Sequence, residues 1–210
     1  MSTLHEKSLI TSYLTMRRTI GILGISLPIV LVLGGLLQDK PLVQASISAY
    51  YYTPMRDFFV GLLSSVALFL LSYKGYEKID DIVSNLSGLC AIGMILFPTS
   101  LHTGTVVKVG MLLVNDDVSE FVHLTFGACF FLLLSYNSIF LFTKRGPGGG
   151  VLGKEKRRRN VVYRVCGGIM IFSVIAIFIY KTFFEDTFLA KLYLTLIFES
   201  IALLAFGISW

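Results

Sequence analysis

The stretch "TIGILGISLPIVLVLGGLLQ", residues 19–38, decides the fold class of the chain. It runs for 20 residues without a charged side chain, and about 20 helical residues span the hydrocarbon core of a bilayer. A secretory signal peptide is the rival interpretation, with a cleavage-like site at residues 43–45. Its apolar region would be only about 7–15 residues long. We therefore predict that the segment is retained as a membrane-spanning helix.

Five further apolar segments follow, and together they predict six transmembrane helices. The six segments are residues 19–38, 58–73, 82–99, 121–143, 161–180 and 188–209. Only 15% of the residues are charged, against about 25% in a soluble domain. The alternating pattern of barrel strands is absent from the sequence. We predict an all-α integral membrane protein that forms one transmembrane domain over residues 1–210.

The distribution of Lys and Arg predicts the orientation. Twelve of them fall in the N-terminal tail and the second and fourth loops, and five in the first, third and fifth loops. Because positively charged loops stay in the cytoplasm, we predict that both termini are cytoplasmic. The formal net charge of +5 follows from this asymmetry, and we predict no nucleic-acid partner.

The fourth loop, residues 144–160, carries the densest positive charge. Its sequence is KRGPGGGVLGKEKRRRN, which predicts a flexible cytoplasmic linker that contacts anionic lipid of the inner leaflet. The basic loop and the absence of a recognisable sorting signal are typical of a bacterial inner-membrane protein.

Two histidines and an aspartate fall at the predicted outer interface. His102 ends the third helix, His123 lies in the first turn of the fourth, and Asp57 opens the second. Two imidazoles and a carboxylate are suitable zinc ligands, and they also serve as acid and base near neutral pH. They are candidate catalytic and metal-binding residues. The alternative is that each makes only an interfacial hydrogen bond.

The segment before the second helix is rich in tyrosine. Tyr50 and Tyr51 suit the headgroup level of a bilayer, where amphipathic rings settle. Arg56 beside them is a candidate ligand for a phosphate or carboxylate. The alternative is an ion pair of Arg56 with a nearby acidic side chain, for which Asp57, Asp116 and Glu120 are the candidates.

Glu199 lies near the middle of the sixth apolar segment. A carboxyl group inside a membrane must be protonated, partnered or exposed to a wet cavity, since its unpaired burial costs several kcal/mol. Glu199 is therefore a candidate binding residue. The alternative is a hydrogen bond to a polar side chain of a neighbouring helix, such as Asn137 or Ser64.

The third loop, residues 100–120, is longer than a turn requires. Its apolar middle predicts a short helix on the membrane surface. The acidic residues that follow, from Asp116 to Glu120, favour capping of the next helix over a cation site.

Several short motifs resemble a known group of membrane proteins. They are the pair Ile47-Ser48, the segment YYTPMRDFFVG (residues 51–61), His123 followed by GACFF (residues 127–131), and the final FGISW (residues 206–210). Together they resemble a bacterial six-helix membrane family of unknown function that is distantly similar to DRAM/Frag/Sfk-type proteins. The resemblance implies a role around lipids and transfers no catalytic residue. We count Ser48 among the candidate binding residues.

Three functional hypotheses are open. The first is an outward-facing polar pocket that binds a lipid headgroup or modifies a lipid, for example as a metal-assisted hydrolase. It is favoured because the uncommon polar residues gather at one membrane level. The second is a small proton- or cation-coupled transporter or channel that uses Glu199. The third is a structural or assembly subunit with an apolar face for a partner, a second copy of the chain included.

Overall fold

The computed structural model describes residues 2–40, 42–75, 77–100, 107–144, 153–185, 187 and 192–210, with side chains from residue 14 onward. This described part contains six α-helices and one short hairpin. The helices are α1 (Ser2–Leu36), α2 (Arg56–Ser72), α3 (Lys78–Leu96), α4 (Asp116–Tyr136), α5 (Lys154–Phe183) and α6 (Leu194–Ser209). A π-helical turn (Asn137–Leu141) extends α4, and a 3₁₀ turn (Ser48–Tyr52) precedes α2.

Four helices are long and apolar enough to cross a membrane. They are Leu14–Leu36 within α1, α3, α4 with its π-helical turn, and α5, while α6 is a shorter apolar helix. Large apolar side chains such as Leu68, Phe172 and Ile208 are exposed on the outside of the bundle. A helix bundle that is apolar on its outer surface is suited to lipid. The predicted all-helical, membrane-compatible fold is confirmed at this level.

The helix bounds differ from the apolar segments at several ends. α1 begins at Ser2, well before the first apolar segment, and α5 begins at Lys154. The second half of the predicted flexible linker, residues 154–160, is therefore helical. Residues 145–152 lie outside the described residues. Apolar periodicity does not mark such ends because Lys, Arg and Glu are themselves good helix formers.

The third loop contains a hairpin where a surface helix was predicted. Strand β1 (Lys108–Val109) pairs antiparallel with β2 (Val114–Asn115). The turn between them has Gly110 at φ 70° and Leu113 at φ 51°. Glycine adopts positive φ at little cost, and two residues in this region end any continuous helix.

The six helices form a closed ring in chain order. Each packs against the next, and α6 returns to pack against α1. The closing contact is made by glycines: a methyl group on Gly21 would lie 2.6 Å from the Gly207 carbonyl oxygen, and one on Gly207 would lie 2.5 Å from that of Gly21. Small residues allow two backbones in a membrane to approach this closely. The ring encloses the space in which the candidate site lies.

Candidate functional site

The candidate site lies at the end of the ring where α1 connects to α2, α3 to α4 and α5 to α6. We call this the upper end. Two hydrogen bonds link different segments at this end. The Leu196 backbone N–H donates to the Ala45 carbonyl oxygen at 3.0 Å, and the Tyr52 hydroxyl donates to the Thr99 carbonyl oxygen at 2.6 Å. The upper end therefore forms one hydrogen-bonded surface from segments far apart in sequence.

His123 is held in one orientation by the end of α3. It is 4% exposed, and its Nδ1 lies 3.0 Å from the Met94 carbonyl oxygen and 2.8 Å from that of Phe97. The last carbonyl groups of a helix lack partners within that helix, so they accept from a side chain here. Since both partners only accept hydrogen bonds, Nδ1 carries the proton. Nε2 then presents its lone pair.

Ser48 occupies the position that this lone pair faces. Its Oγ lies 2.7 Å from His123 Nε2, so the hydroxyl donates to the imidazole. Ser48 is partly exposed and opens the 3₁₀ turn before α2. A serine hydroxyl donating to an imidazole that a third group orients is the arrangement that activates a serine nucleophile.

Glu199 fixes the segment that carries Ser48. Its Oε2 accepts a hydrogen bond at 2.6 Å from the backbone N–H of Ile47, the residue before Ser48. The bond joins positions 152 residues apart in the chain. Glu199 lies in the second turn of α6, near the upper end, because α6 begins only at Leu194. Its hydrogen-bond partner is thus a loop backbone, and neither Asn137 nor Ser64.

An ion pair completes the polar group. Lys181 Nζ lies 2.8 Å from Glu120 Oε1 and 3.4 Å from Glu185 Oε1. The Lys181 and Glu120 side chains are only 20% and 14% exposed. Two carboxylates thus neutralise the ammonium group, and the ion pair links α5 to α4.

All of these side chains line one cavity inside the ring, which we call the main cavity. Its volume is about 620 Å³. Its polar lining consists of Ser48, Glu120, His123, Lys181, Thr182, Glu185 and Glu199. The rest is apolar, with Leu27, Leu63, Phe130, Phe131, Val174 and Leu203 among the lining residues. Phe178 on α5 and Leu124 on α4 line it and are also exposed on the outer surface. The main cavity is therefore open sideways between α4 and α5.

A second cavity adjoins the polar group from the upper end. This vestibule has a volume of about 130 Å³ and shares Ser48, His123, Lys181 and Glu199 with the main cavity. Its other lining residues include four Ser and Thr side chains: Ser46, Thr99, Ser100 and Thr195. Ser48 and His123 thus line both the main cavity and the smaller vestibule, which has several hydroxyl groups.

Tyr50, Tyr51 and Arg56 lie outside these two cavities and have packing roles. Tyr50 is buried against Gly35 of α1. The Arg56 guanidinium donates to the Tyr51 hydroxyl at 2.8 Å and lies 4.4 Å from the centre of its ring. Arg56 therefore contacts a tyrosine, whereas the alternative to ligand binding was an ion pair with Asp57, Asp116 or Glu120. Burial, assisted by the charges of Tyr51 and Asp116, raises the pKa of Tyr52 to about 12, so this hydroxyl stays a hydrogen-bond donor.

The predicted metal ligands are not brought together among the described residues. Asp57 is exposed at the start of α2 and lines neither cavity. His123 already has hydrogen bonds at both ring nitrogens, and His102 lies outside the described residues. No group of three His, Cys, Asp or Glu side chains suited to a metal occurs in the described part of the chain. The zinc site stays a prediction.

Lys181 and Glu120 are site residues that sequence reasoning missed. In the sequence Lys181 was only a positive charge in an outer loop, and Glu120 was only part of an acidic cluster and a possible partner of Arg56. The sequence signal was present, because both lie within one turn of an apolar segment, where a charge needs a partner. Their pairing across 61 residues depends on the packing of α4 against α5.

Comparison with family models, curated proteins and solved structures gives no match. The resemblance to the six-helix membrane families therefore stays a prediction, and the site is interpreted from its own geometry.

Proposed function

We propose that this protein is a six-span membrane protein that binds one amphiphilic lipid in its main cavity. The apolar lining receives an acyl chain, and the polar group of Ser48, His123, Lys181 and Glu199 receives the polar end. The observation that carries the proposal is the cavity itself, which is apolar along its length, polar at the upper end and open sideways between α4 and α5. Its volume lies in the range of small-molecule sites, about 300–1,000 Å³.

The closed ring supports six spans. α2 lies between α1 and α3, and α6 lies between α5 and α1. Since their neighbours are long enough to cross a membrane, α2 and α6 share the same layer, although α6 has only 16 residues. Together with the distribution of Lys and Arg, this arrangement supports cytoplasmic termini and an upper end on the outer side of a bacterial inner membrane. The basic first turns of α5 then face anionic lipid of the inner leaflet.

The charges in the main cavity favour an uncharged polar end. A lipid tail gains little on moving from bilayer to cavity, because both are apolar, so selectivity comes from the polar group. Lys181 is already compensated by Glu120 and Glu185, and Glu199 adds a third carboxyl group. The three carboxyl groups outnumber the single ammonium group, so the site disfavours a phosphate and favours an ester, hydroxyl or amide. Arg56, the sequence-based candidate for phosphate, lines neither cavity.

The test is to fill the main cavity with a side chain. Gly127 lines it, and a Cβ there meets only the Met94 sulfur at 3.5 Å, an ordinary contact. Gly127→Phe therefore projects a ring into the cavity without a clash at Cβ. The matched control is Gly168→Phe, because Gly168 lies on an exposed face of α5 where nothing is within 4 Å of an added Cβ.

We expect about one neutral lipid per chain in wild-type protein and in Gly168→Phe. Gly127→Phe should lose most of it, since ring and acyl chain compete for one space. The measurement is native mass spectrometry in mild detergent, with the released lipid identified by extraction. Equal lipid content in Gly127→Phe and wild type would contradict the proposal.

A further inference from the structure

We propose that Ser48 and His123 form a nucleophile–base pair that transfers the acyl group of an ester lipid. The inference rests on the proposed function, because the lipid in the main cavity supplies the ester. Its substrate class is a neutral acyl ester, and its co-reactant is water or an alcohol that enters through the vestibule.

The hydrogen bonds around His123 determine which ring nitrogen can accept a proton. The Met94 and Phe97 carbonyl oxygens require the proton on His123 Nδ1, so Nε2 accepts the Ser48 hydroxyl hydrogen at 2.7 Å. This is the tautomer that removes a proton from the serine during attack. The two carbonyl groups orient the ring, as the third group does in a nucleophile–base–orienter arrangement.

Ser48 lies where both cavities reach its hydroxyl group. Ser48 and His123 line both cavities, so an ester whose acyl chain occupies the main cavity presents its carbonyl group beside Ser48 Oγ. The hydroxyl-lined vestibule meets the pair from the other side and suits water or a departing alcohol. A purely structural hydrogen bond would not need access from two cavities.

The reaction balances without any further reactant. Ser48 Oγ attacks the ester carbonyl carbon while its proton passes to His123 Nε2. The bond from that carbon to the alcohol oxygen then breaks, and the alcohol leaves with the proton from His123. Water from the vestibule attacks the acyl-serine and gives one proton to His123. The acid departs, and Ser48 Oγ recovers its proton from Nε2.

The experiment uses two probes on the full chain in detergent. An alkyl fluorophosphonate reports an activated serine, because Oγ displaces fluoride from phosphorus and the adduct is mapped by mass spectrometry. A medium-chain p-nitrophenyl ester reports turnover. The variants are Ser48→Ala and His123→Gln. Gln retains a donor for the carbonyl groups and an acceptor for Ser48 but is not a base. Ser65→Ala is the matched control, because this half-buried serine on α2 lines neither cavity and its hydroxyl donates to the Gly61 carbonyl oxygen.

We expect the adduct on Ser48 in wild type and Ser65→Ala, and in neither of the other variants. Ester turnover should fall by about 10²–10⁴-fold in Ser48→Ala and His123→Gln, the usual contribution of a positioned base. Both variants should unfold at about the same temperature as wild type in detergent, which shows that they are folded.

Three results would overturn the inference. The first is wild-type protein that carries lipid but forms no adduct on Ser48. The second is Ser48→Ala with wild-type turnover. The third is turnover that a chelator abolishes and Ser48→Ala retains. An adduct on Ser48 in protein that never carries lipid would instead support the nucleophile while contradicting the proposed lipid-binding function, so the two failures are distinguishable.

Discussion

The hydrogen bond between Glu199 and Ile47 helps to position Ser48, the proposed nucleophile. Glu199 accepts from the Ile47 N–H at 2.6 Å, and Ser48 is the next residue. An intramolecular hydrogen bond contributes about 0.5–1.5 kcal/mol, or about 1.5–3 kcal/mol when one partner is charged. Removing the carboxyl group also leaves a backbone donor unsatisfied, and the segment that carries Ser48 then keeps the hydrogen bond from Leu196 N–H to the Ala45 carbonyl oxygen but loses the one beside Ser48. Glu199 is thus a positioning residue in this account.

We predict that Glu199→Ala lowers ester turnover while Glu199→Gln restores most of it. The Gln amide oxygen still accepts from Ile47, so Ser48 keeps its place. Turnover of the p-nitrophenyl ester and thermal unfolding in detergent are the measurements. The control is Ser200→Ala, the next residue on α6, whose hydroxyl donates to the Leu196 carbonyl oxygen. If Gln and Ala reduced turnover equally, Glu199 would act in some way other than by accepting this hydrogen bond.

At this scale the sequence indicates which residues need partners but not which partners they find. Glu199 and His123 are visible as polar groups inside apolar segments, and both lie in the main cavity. Their partners include backbone groups of Ile47, Met94 and Phe97. A pattern of side chains in the sequence does not predict such backbone partners. Ser48 entered through a resemblance, because a serine in a loop is unremarkable until the histidine is placed beside it.

The contact between α1 and α6 closes the ring and therefore defines the main cavity. It depends on the absence of side chains at Gly21 and Gly207, where an added methyl group would meet a backbone oxygen at 2.6 and 2.5 Å. A backbone oxygen cannot turn aside as a flexible side chain does. Any larger residue must therefore push the two helices apart.

We predict that Gly207→Leu destabilises the protein by about 1–3 kcal/mol, which is the usual cost of overpacking. The matched control is Gly168→Leu, because an added Cβ there meets nothing within 4 Å. Thermal unfolding in the same detergent compares the two variants. A Gly207→Leu protein as stable as Gly168→Leu would show that α1 and α6 do not approach this closely.

The sequence predicts the presence of each helix far better than it predicts the residues at which the helix begins and ends. Each predicted apolar segment overlaps a helix, because about 20 apolar residues have few other stable conformations in a membrane. The ends depend on local effects that hydropathy does not record. The basic residues after Lys154 continue α5, and positive φ angles at Gly110 and Leu113 turn the third loop into a hairpin.

The whole molecule is a ring with an apolar outer surface and a cavity whose polar end lies at the upper end. The sequence predicted polar residues gathered at one level, and that level contains Ser48 and His123. Glu199, which was predicted near the middle of its apolar segment, lies close to the same level because α6 begins only at Leu194. The sequence did not separate these residues from Tyr50, Arg56 and Asp57, which lie outside the cavities. Whether a residue lines a cavity depends on the direction in which its side chain points around the helix axis. Only the packing of all six helices decides which side faces the interior.

The most direct test of the account is to locate a lipid tail relative to the ring. The protein, as Ser48→Ala to prevent turnover, is placed in zwitterionic phospholipid vesicles with a diacylglycerol that carries a diazirine on one acyl chain. After irradiation, peptide mass spectrometry maps the adducts. We predict adducts on main-cavity residues such as Phe131, Val174 and Leu203 that excess unlabelled diacylglycerol suppresses. Adducts confined to outer residues such as Phe172 and Ile208 would contradict lipid binding in the main cavity.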